Sequence, residues 1–516
     1  MAKANFAISN LVPARQASIA KSYFHQSKVV HLSSHPIAPL AQLMTQGGDA
    51  RILLDPATML NRYHSGPYPR DLIAFASSTA NDLSADAMEY LATRFGENAK
   101  ELDESTAYSA YLDGARRQLR DAYDLENATD IFFAASGTDL EYVALLAVAG
   151  RSPSGICNLL LGSDEVGSGC IHSAAGRYFA HETPLGYACE PGEPVDGLPP
   201  VHLGDVPVRD EAGTAFNSEQ ISAVMSARIE TALAGGQHPL IHIVHGSKTG
   251  LVLPHLADID ALTKCFGNRL SFVVDACQAR ITNAAIAEYL ARGIIVFLTG
   301  SKFMGGPPFS GFALLPAGVA SAAAPMASGM AHIFRRAEVP DGWAGRETLN
   351  DTGNAGLALR LAASLFELER FQKLGLADVT RVVTAFSAAI DRLASNLGIC
   401  KVASAAPGDS EGPSEHPIEM QTLVTLDLSH DANGMQTRDL SFDDATHIHK
   451  TLIQNGVRLG QPVRCVRLNN GQWGATLRIG LSMPHVCDFQ QLDDPALAAR
   501  LAAMTAEIQK ELAKQL

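Results

Sequence analysis

Leu270-Ser-Phe-Val-Val-Asp-Ala-Cys-Gln278 and, after an intervening stretch, Ile294-Ile-Val-Phe-Leu-Thr-Gly-Ser-Lys302 are the segments on which the fold turns. Each opens with an apolar run too short for a helix and without polar alternation, the pattern of a strand buried on both faces. The residues between them, from Ile281 to Gly293, have the length of one crossover helix. Strand, helix, strand makes a parallel pair, so the two runs end at the same edge of one sheet. What they end on is Asp275 and Lys302.

The same pattern recurs outward from this core. Ile131-Phe-Phe-Ala-Ala runs into Ser136-Gly-Thr138, which opens an apolar helix, Tyr142-Val-Ala-Leu-Leu-Ala-Val. Cys157-Asn-Leu-Leu-Leu and Gly311-Phe-Ala-Leu-Leu read as further strands. Ile241-His-Ile-Val runs into His245-Gly-Ser-Lys-Thr-Gly250. Residues 81–124 read as helices, with Ala87, Met88, Leu91 and Phe95 on one buried face. Residues 190–217, rich in Pro, Gly and Asp, read as a surface excursion.

The expected fold is therefore α/β, a three-layer sandwich with a mostly parallel sheet, whose ligand sits beyond the carboxyl ends of the strands. We expect an N-terminal arm over 1–60, a large domain over 61–345 and a smaller α+β domain over 346–516. The last would hold helices at 355–374 and 377–397, a loop at 403–417, strands at 421–428 and 475–481, and a helix running to Leu516.

Composition removes several function classes. At 516 residues the chain has material for two domains. A net charge of −14 argues against a nucleic-acid coat, and 47% apolar content argues against disorder. The longest apolar region, Ala284–Leu298, is broken by Glu288 and Arg292, so no membrane span is expected. Eight cysteines without a CxxC pair suggest neither a disulfide framework nor a metal site, and point to the cytoplasm. No acidic residue precedes Asp49, a composition shared by transit peptides and by arms laid on the protein or a partner subunit; we read an arm. Gly167-Ser-Gly-Cys-Ile-His lacks the third glycine of a dinucleotide fingerprint, and His245-Gly-Ser-Lys-Thr-Gly lacks the glycine before lysine of a P-loop. A nucleotide-dependent oxidoreductase is accordingly disfavoured.

Lysine at the end of a buried strand is costly unless paired or used covalently. Shielded from water, its amine turns neutral and forms a Schiff base with an aldehyde. A carboxylate on a neighbouring strand end holds a pyridinium nitrogen protonated. A Ser-Gly-Thr turn at a helix start offers N–H groups, hydroxyls and the positive end of the helix dipole to a phosphate. Aldehyde, pyridinium and phosphate are the three handles of pyridoxal 5′-phosphate (PLP).

With these motifs in this order, from about residue 60 to about 490, the chain resembles the fold-type I PLP-dependent enzymes. It is closest to the class V aminotransferase and cysteine desulfurase branch. Asp275-Ala-Cys-Gln278 matches that branch's Asp-Ala-x-Gln, and Thr299-Gly-Ser-Lys302 its Ser-x-His-Lys loop, with Ser301 in place of His. The resemblance implies that Lys302 carries the cofactor, that Asp275 pairs with the pyridine nitrogen and that Gln278 lies near the phenolic oxygen. Gly137, Thr138 and Ser136 would bind phosphate, as would Thr299 and Ser301. Ser247 stands where relatives place an Asn close to the ring, and Arg478 matches the Arg that grips a substrate carboxylate.

For the residue stacked on the ring, Val166 occupies the expected position and His172 is a displaced candidate. No cysteine lies in 320–350, where a desulfurase would carry its nucleophile, and Cys277 reads as a small core residue. Tyr63, Arg70 and Ser77, in the polar stretch following Asn61, are candidate substrate readers. Gly345-Arg-Glu-Thr-Leu-Asn350 is a candidate for reaching a neighbouring subunit's cofactor. The resemblance thus implies a homodimeric PLP enzyme acting on an amino acid or amine, first an aminotransferase, with a lyase or decarboxylase as the alternative.

Overall fold

Thirteen strands organise the described residues, which in this computed structural model are 39–162, 165, 170–403, 419 and 422–516. In chain order they are β1 (Ile73–Phe75), β2 (Asp130–Ala134), β3 (Ile156–Leu161), β4 (Val201–Val206), β5 (His238–His245), β6 (Val252–Leu253), β7 (Ser271–Asp275), β8 (Ile295–Thr299), β9 (Gly311–Leu315), β10 (Cys400–Lys401), β11 (Leu423–Asp427), β12 (Val457–Leu459) and β13 (Thr476–Gly480).

The main sheet has the order β2-β9-β8-β7-β5-β3-β4, with short β6 paired to β5. β4, β3, β5, β7 and β8 run parallel, while β9 lies antiparallel between β8 and β2. β2 therefore points the same way as the parallel set. Each of β3, β5, β8 and β9 is buried along its whole length, as continuous apolar runs require. Helices cover both faces. The helix Leu140–Val148 is buried at every position, which explains why its sequence carries no polar stripe.

The chain order of apolar runs is realised, with one addition. The stretch expected to be a surface excursion contributes β4, an edge strand paired parallel to β3 from Ile156↔Val201 to Leu161↔Val206. An edge strand is covered on one side only; β4 is mostly half-buried or exposed, so its composition mimics a loop.

The C-terminal third carries a small antiparallel sheet, β10-β11-β13, between the long helices Ala355–Gln372 and Leu376–Leu397 and the final helix Asp494–Ala513. It is not self-contained. β1 pairs in parallel with β12, Ile73↔Val457 to Phe75↔Leu459, and Ala76 bridges Gly480. The approach segment near residue 75 is thus stitched to the other end of the chain. The helix Ala355–Gln372 packs on the helices Ala85–Arg94 and Ser105–Tyr123. Of the expected arm, residues 1–38 lie outside the described residues, as does most of the loop expected over 403–417. No helix of the described residues is long and apolar enough to cross a membrane.

Candidate active site

The carboxyl ends of β2, β5, β7 and β8 meet at one sheet edge and frame a cavity of about 330 Å³. Asp275 is the last residue of β7, and its Oδ1 accepts the Cys277 N–H at 2.9 Å. Lys302 follows β8 by three residues in a turn closed by Gly305 N–H on the Lys302 carbonyl. Asn81 pins this turn from outside, its Nδ2 donating to the carbonyls of Ser301 (3.0 Å) and Lys302 (2.6 Å). Asp275 and Lys302 line the same cavity.

Ser136, Gly137 and Thr138 precede the helix Leu140–Val148 and line one wall with Thr299 and Ser301. A Cβ on Gly137 would come within 2.9 Å of Thr299 Cγ2 and 3.3 Å of Cys277 Sγ, so the turn passes too close to β8 for any side chain. Thr299 Oγ1 donates to the Cys277 carbonyl at 2.7 Å and accepts from Ser301 Oγ at 3.3 Å. Behind the turn, Ser136 Oγ donates to Asp139 Oδ2 at 2.6 Å. Burial outweighs that bond and raises the Asp139 carboxyl to about 7.

Arg51 completes this wall. Its Nη1 donates to Thr138 Oγ1 at 3.1 Å and its Nη2 to Ser136 Oγ at 3.4 Å. The guanidinium is fixed by an ion pair with Asp49 at 2.7 Å and lies between the rings of Phe179 and Phe309, 4.9 and 4.7 Å from their centroids. Phe309 takes φ +75°, a conformation expensive for a residue with a Cβ. Its carbonyl is held there by Arg360 Nε at 2.6 Å. Tyr63 faces the cavity beside Arg51, its hydroxyl pushed up by burial against the opposing pull of Arg51.

Arg478, on β13, lines the opposite wall and is buried. Its Nε donates to Gln461 O (2.8 Å), Nη1 to Ser78 O (3.2 Å) and Nη2 to Thr79 Oγ1 (3.1 Å). It makes no ion pair with a described residue, and burial pulls it down to about 10.

Five expected residues stand elsewhere. Gln278 is off the cavity wall, because both ends of its amide are used: Nε2 donates to Ser78 O (3.1 Å) and Oε1 accepts from Arg280 Nη1 (2.7 Å). Ser247 is turned onto Glu165, donating to Oε2 at 2.7 Å; its neighbour Lys248 lines the cavity instead. His172 is exposed, on the outer side of the short helix Cys170–Ala174, whose first residue, Cys170, is buried and lines the cavity. Val166 lies outside the described residues. Arg70 is bonded to the His64 carbonyl (3.1 Å) and pairs with Asp82 (3.4 Å), away from the cavity. Ser77, likewise, donates to the Leu481 carbonyl and accepts from Arg280 Nη2. The loop at 345–350 folds back on its own chain, with Arg346 Nε on the carbonyls of Arg336 and Val339.

Reasoning from sequence missed Arg51, Glu141, Cys170 and Lys248, all on the cavity wall. For Lys248 a signal existed, since it follows a buried strand as Lys302 does. Burial, with help from Arg478, lowers the Lys248 amine to about 8. The thiols of Cys170 and Cys277 are both pushed up by burial and then by neighbouring carboxylates, which favours the neutral form over the nucleophilic thiolate.

No family model and no curated protein matches the chain. Solved structures do. The apo cysteine desulfurase of Thermococcus onnurineus NA1 is 16% identical with a TM-score of 0.50, matching 86% of this chain and 95% of that one. The Escherichia coli cysteine desulfurase CsdA is 13% identical at 0.51, over 85% and 94%. The Bacillus subtilis ureidoglycine–glyoxylate aminotransferase is 15% identical at 0.50, over 86% and 94%. The chain has the fold of these enzymes, PLP fold type I.

Proposed function

We propose that this chain is a PLP-dependent enzyme that acts on an amino acid through its α-amino group, with transamination as its reaction. The observation that supports this most is the sharing of one cavity by Lys302 and Asp275, with a helix-start turn and an arginine on the adjoining wall.

The residues fit the cofactor. The turn at Gly137 leaves no room for a Cβ, as a backbone that approaches a phosphate requires. Thr138, Ser136 and Arg51 supply hydroxyl and guanidinium donors beside it, and the positive end of the helix dipole adds to them. Asp275 would hold the ring nitrogen and Lys302 the aldehyde carbon; bound there, PLP supplies an electron sink for a carbanion at the substrate's Cα. The chain's own groups do the rest. The Lys302 amine accepts the Cα proton and returns it, Arg478 orients the substrate carboxylate, and Tyr63 and Arg51 close the wall against water. The neutral thiols of Cys170 and Cys277 disfavour sulfur-transfer chemistry.

We further propose a homodimer in the cytoplasm, which suits eight unpaired cysteines; light scattering of the purified chain tests the dimer. For the activity, the purified chain is expected to be yellow. Borohydride reduction followed by peptide mapping is expected to mark Lys302. Added amino acids are expected to move the absorbance towards the ultraviolet without loss of CO₂ or ammonia. Release of CO₂ or ammonia would make it a decarboxylase or lyase, and a colourless, unmarked chain would sink the PLP reading.

A further inference from the structure

One donor of the wall that would hold a phosphate is already committed. Ser136 lines the cavity beside Thr138, but a serine hydroxyl has a single proton to give. Ser136 Oγ gives it to Asp139 Oδ2 at 2.6 Å. What remains on that oxygen is its lone pairs, which take Arg51 Nη2 at 3.4 Å and the Asp139 N–H at 3.3 Å. Asp139 stands behind the wall, only 1% exposed, and its Oδ1 has no hydrogen-bond partner among the described residues. A carboxylate buried with one oxygen unpaired is a costly place for a full charge.

An anion arriving beside Ser136 meets this arrangement badly on two counts. The hydroxyl points away from it, and the Asp139 charge behind the wall repels it. A proton added at Oδ2 removes both. The contact at 2.6 Å then runs the other way, from the Asp139 O–H to Ser136 Oγ, and the Ser136 O–H is released to the anion. Oδ1 becomes the carbonyl oxygen of a neutral acid. The proton comes from solvent, one for each anion bound, and no bond between heavy atoms changes. The surrounding groups allow the exchange. Arg51 and its partner Asp49 face Asp139 across the wall, while Tyr142, Tyr178, Cys189 and the exposed Glu182 share the small space on its other side. Burial pushes both tyrosines and the thiol up, which favours their uncharged forms. Burial, opposed by the Ser136 bond, also raises the Asp139 carboxyl to about 7, where a proton is at hand near neutral pH.

We propose that Asp139 is a positioning residue of the phosphate wall: while it accepts the Ser136 hydroxyl it withholds that donor, and by taking up a proton it returns the donor to an incoming phosphate. This rests on the PLP reading, which supplies the phosphate.

Sulfate is the probe, because it has the shape and charge of a phosphate and does not itself titrate near neutral pH. Calorimetry of sulfate binding to the cofactor-free chain, repeated in buffers of different ionisation heat, is expected to show uptake of about one proton per ion near pH 8 and much less near pH 5.5. Asp139→Asn is expected to lose that uptake and to bind sulfate about tenfold more tightly than wild type near pH 8. In a Ser136→Ala background the same substitution is expected to gain about threefold or less, because no hydroxyl is left to release. Thermal melting confirms that the variants fold; should Asp139→Asn not fold, Asp139→Ala removes the same acceptor and takes its place. Uptake that persists in Asp139→Asn puts the proton on another cavity group, such as the Lys248 amine at about 8, and overturns the proposal. So does an equal gain in both backgrounds, which would mean charge alone, and so does a wild-type chain that binds no sulfate. Absorbance titration with PLP separates the proposal from the reading beneath it. If sulfate brings its proton and PLP is not taken up, the PLP reading has failed and Asp139 belongs to some other anion site. If PLP is taken up and sulfate brings no proton, only the role given to Asp139 has failed.

Discussion

The floor and the roof of the cavity are built by different means. The floor is a sheet edge. Its cavity-lining side chains Ser136, Thr138, Asp275 and Thr299 are short and leave strands whose places are set by ladder hydrogen bonds and apolar packing. The roof, from residues 49–82 and 458–482, is largely irregular, and its backbone carbonyls need donors from elsewhere. Buried arginines supply them. Arg280 donates to Gln278 Oε1, Ser77 Oγ and the Leu481 carbonyl. Arg458 reaches the Ala80 carbonyl and pairs with Asp82, and Arg478 holds Ser78, Thr79 and Gln461. A sheet edge positions chemistry with short residues; a roof without a ladder needs long ones that span several carbonyls at once.

Substitutions on the two sides are therefore expected to fail differently. Lys302→Ala, on the floor, is expected to lower turnover by about 10²–10⁴-fold while leaving the melting temperature near wild type, read by steady-state kinetics and calorimetry. Arg280→Met, in the roof, is expected to reverse that pattern. It removes five donated hydrogen bonds at once and should cost about 3 kcal/mol of unfolding free energy in a denaturant titration, with Arg280→Lys recovering only part. Arg51→Ala touches both sides and is expected to weaken cofactor affinity by about tenfold to a hundredfold, read by absorbance titration.

The pH dependence of stability sharpens the contrast further. Burial lowers His242, His449 and His485 to about 4. Between about 6.5 and 4 the unfolded chain takes up protons that the native one refuses, so their contribution is intact above 6.5 and is lost as pH falls towards 4. Asp139, raised to about 7, acts in the opposite sense: the native chain holds its proton from about 4 up to 7, and that stabilisation fades as pH rises through 7. Calorimetry from pH 8 to 4.5 is expected to show the melting temperature falling on the acid side, less steeply in His485→Gln. Asp139→Asn is expected to gain most relative to wild type above pH 7. The smallest effect belongs to Arg70→Ala, expected to cost about 1 kcal/mol or less and to leave KM unchanged, because its guanidinium is spent on His64 and Asp82.

The same contrast governs what can be read from the sequence. The floor was legible because its chemistry follows each apolar run directly: the runs mark the strands, and the strands mark the edge. The roof was not. Nothing near Asp49 reveals that Arg51 crosses to Thr138, 87 positions away, and Arg70 is as polar as Arg51 without facing the cavity. Gln278 misled because a motif position fixes the backbone but not the partner; Arg280, two residues on, takes its amide. Ser247 and Lys248 differ by one residue, and the choice between them depends on Glu165, which the loop sequence does not contain. β4 was hidden because half of an edge strand meets water.

The pairing of β1 with β12 makes residues 73–75 wait for residues 457–459. During synthesis the sheet edge with Asp275 and Lys302 leaves the ribosome well before the strand that anchors the segment above it. A nascent chain halted near residue 450 would thus display Lys302 in an unroofed trough. Joining such distant segments carries a large loop-closure cost and belongs among the late events of folding, so this molecule withholds a closed cavity until residues 457–459 have been made.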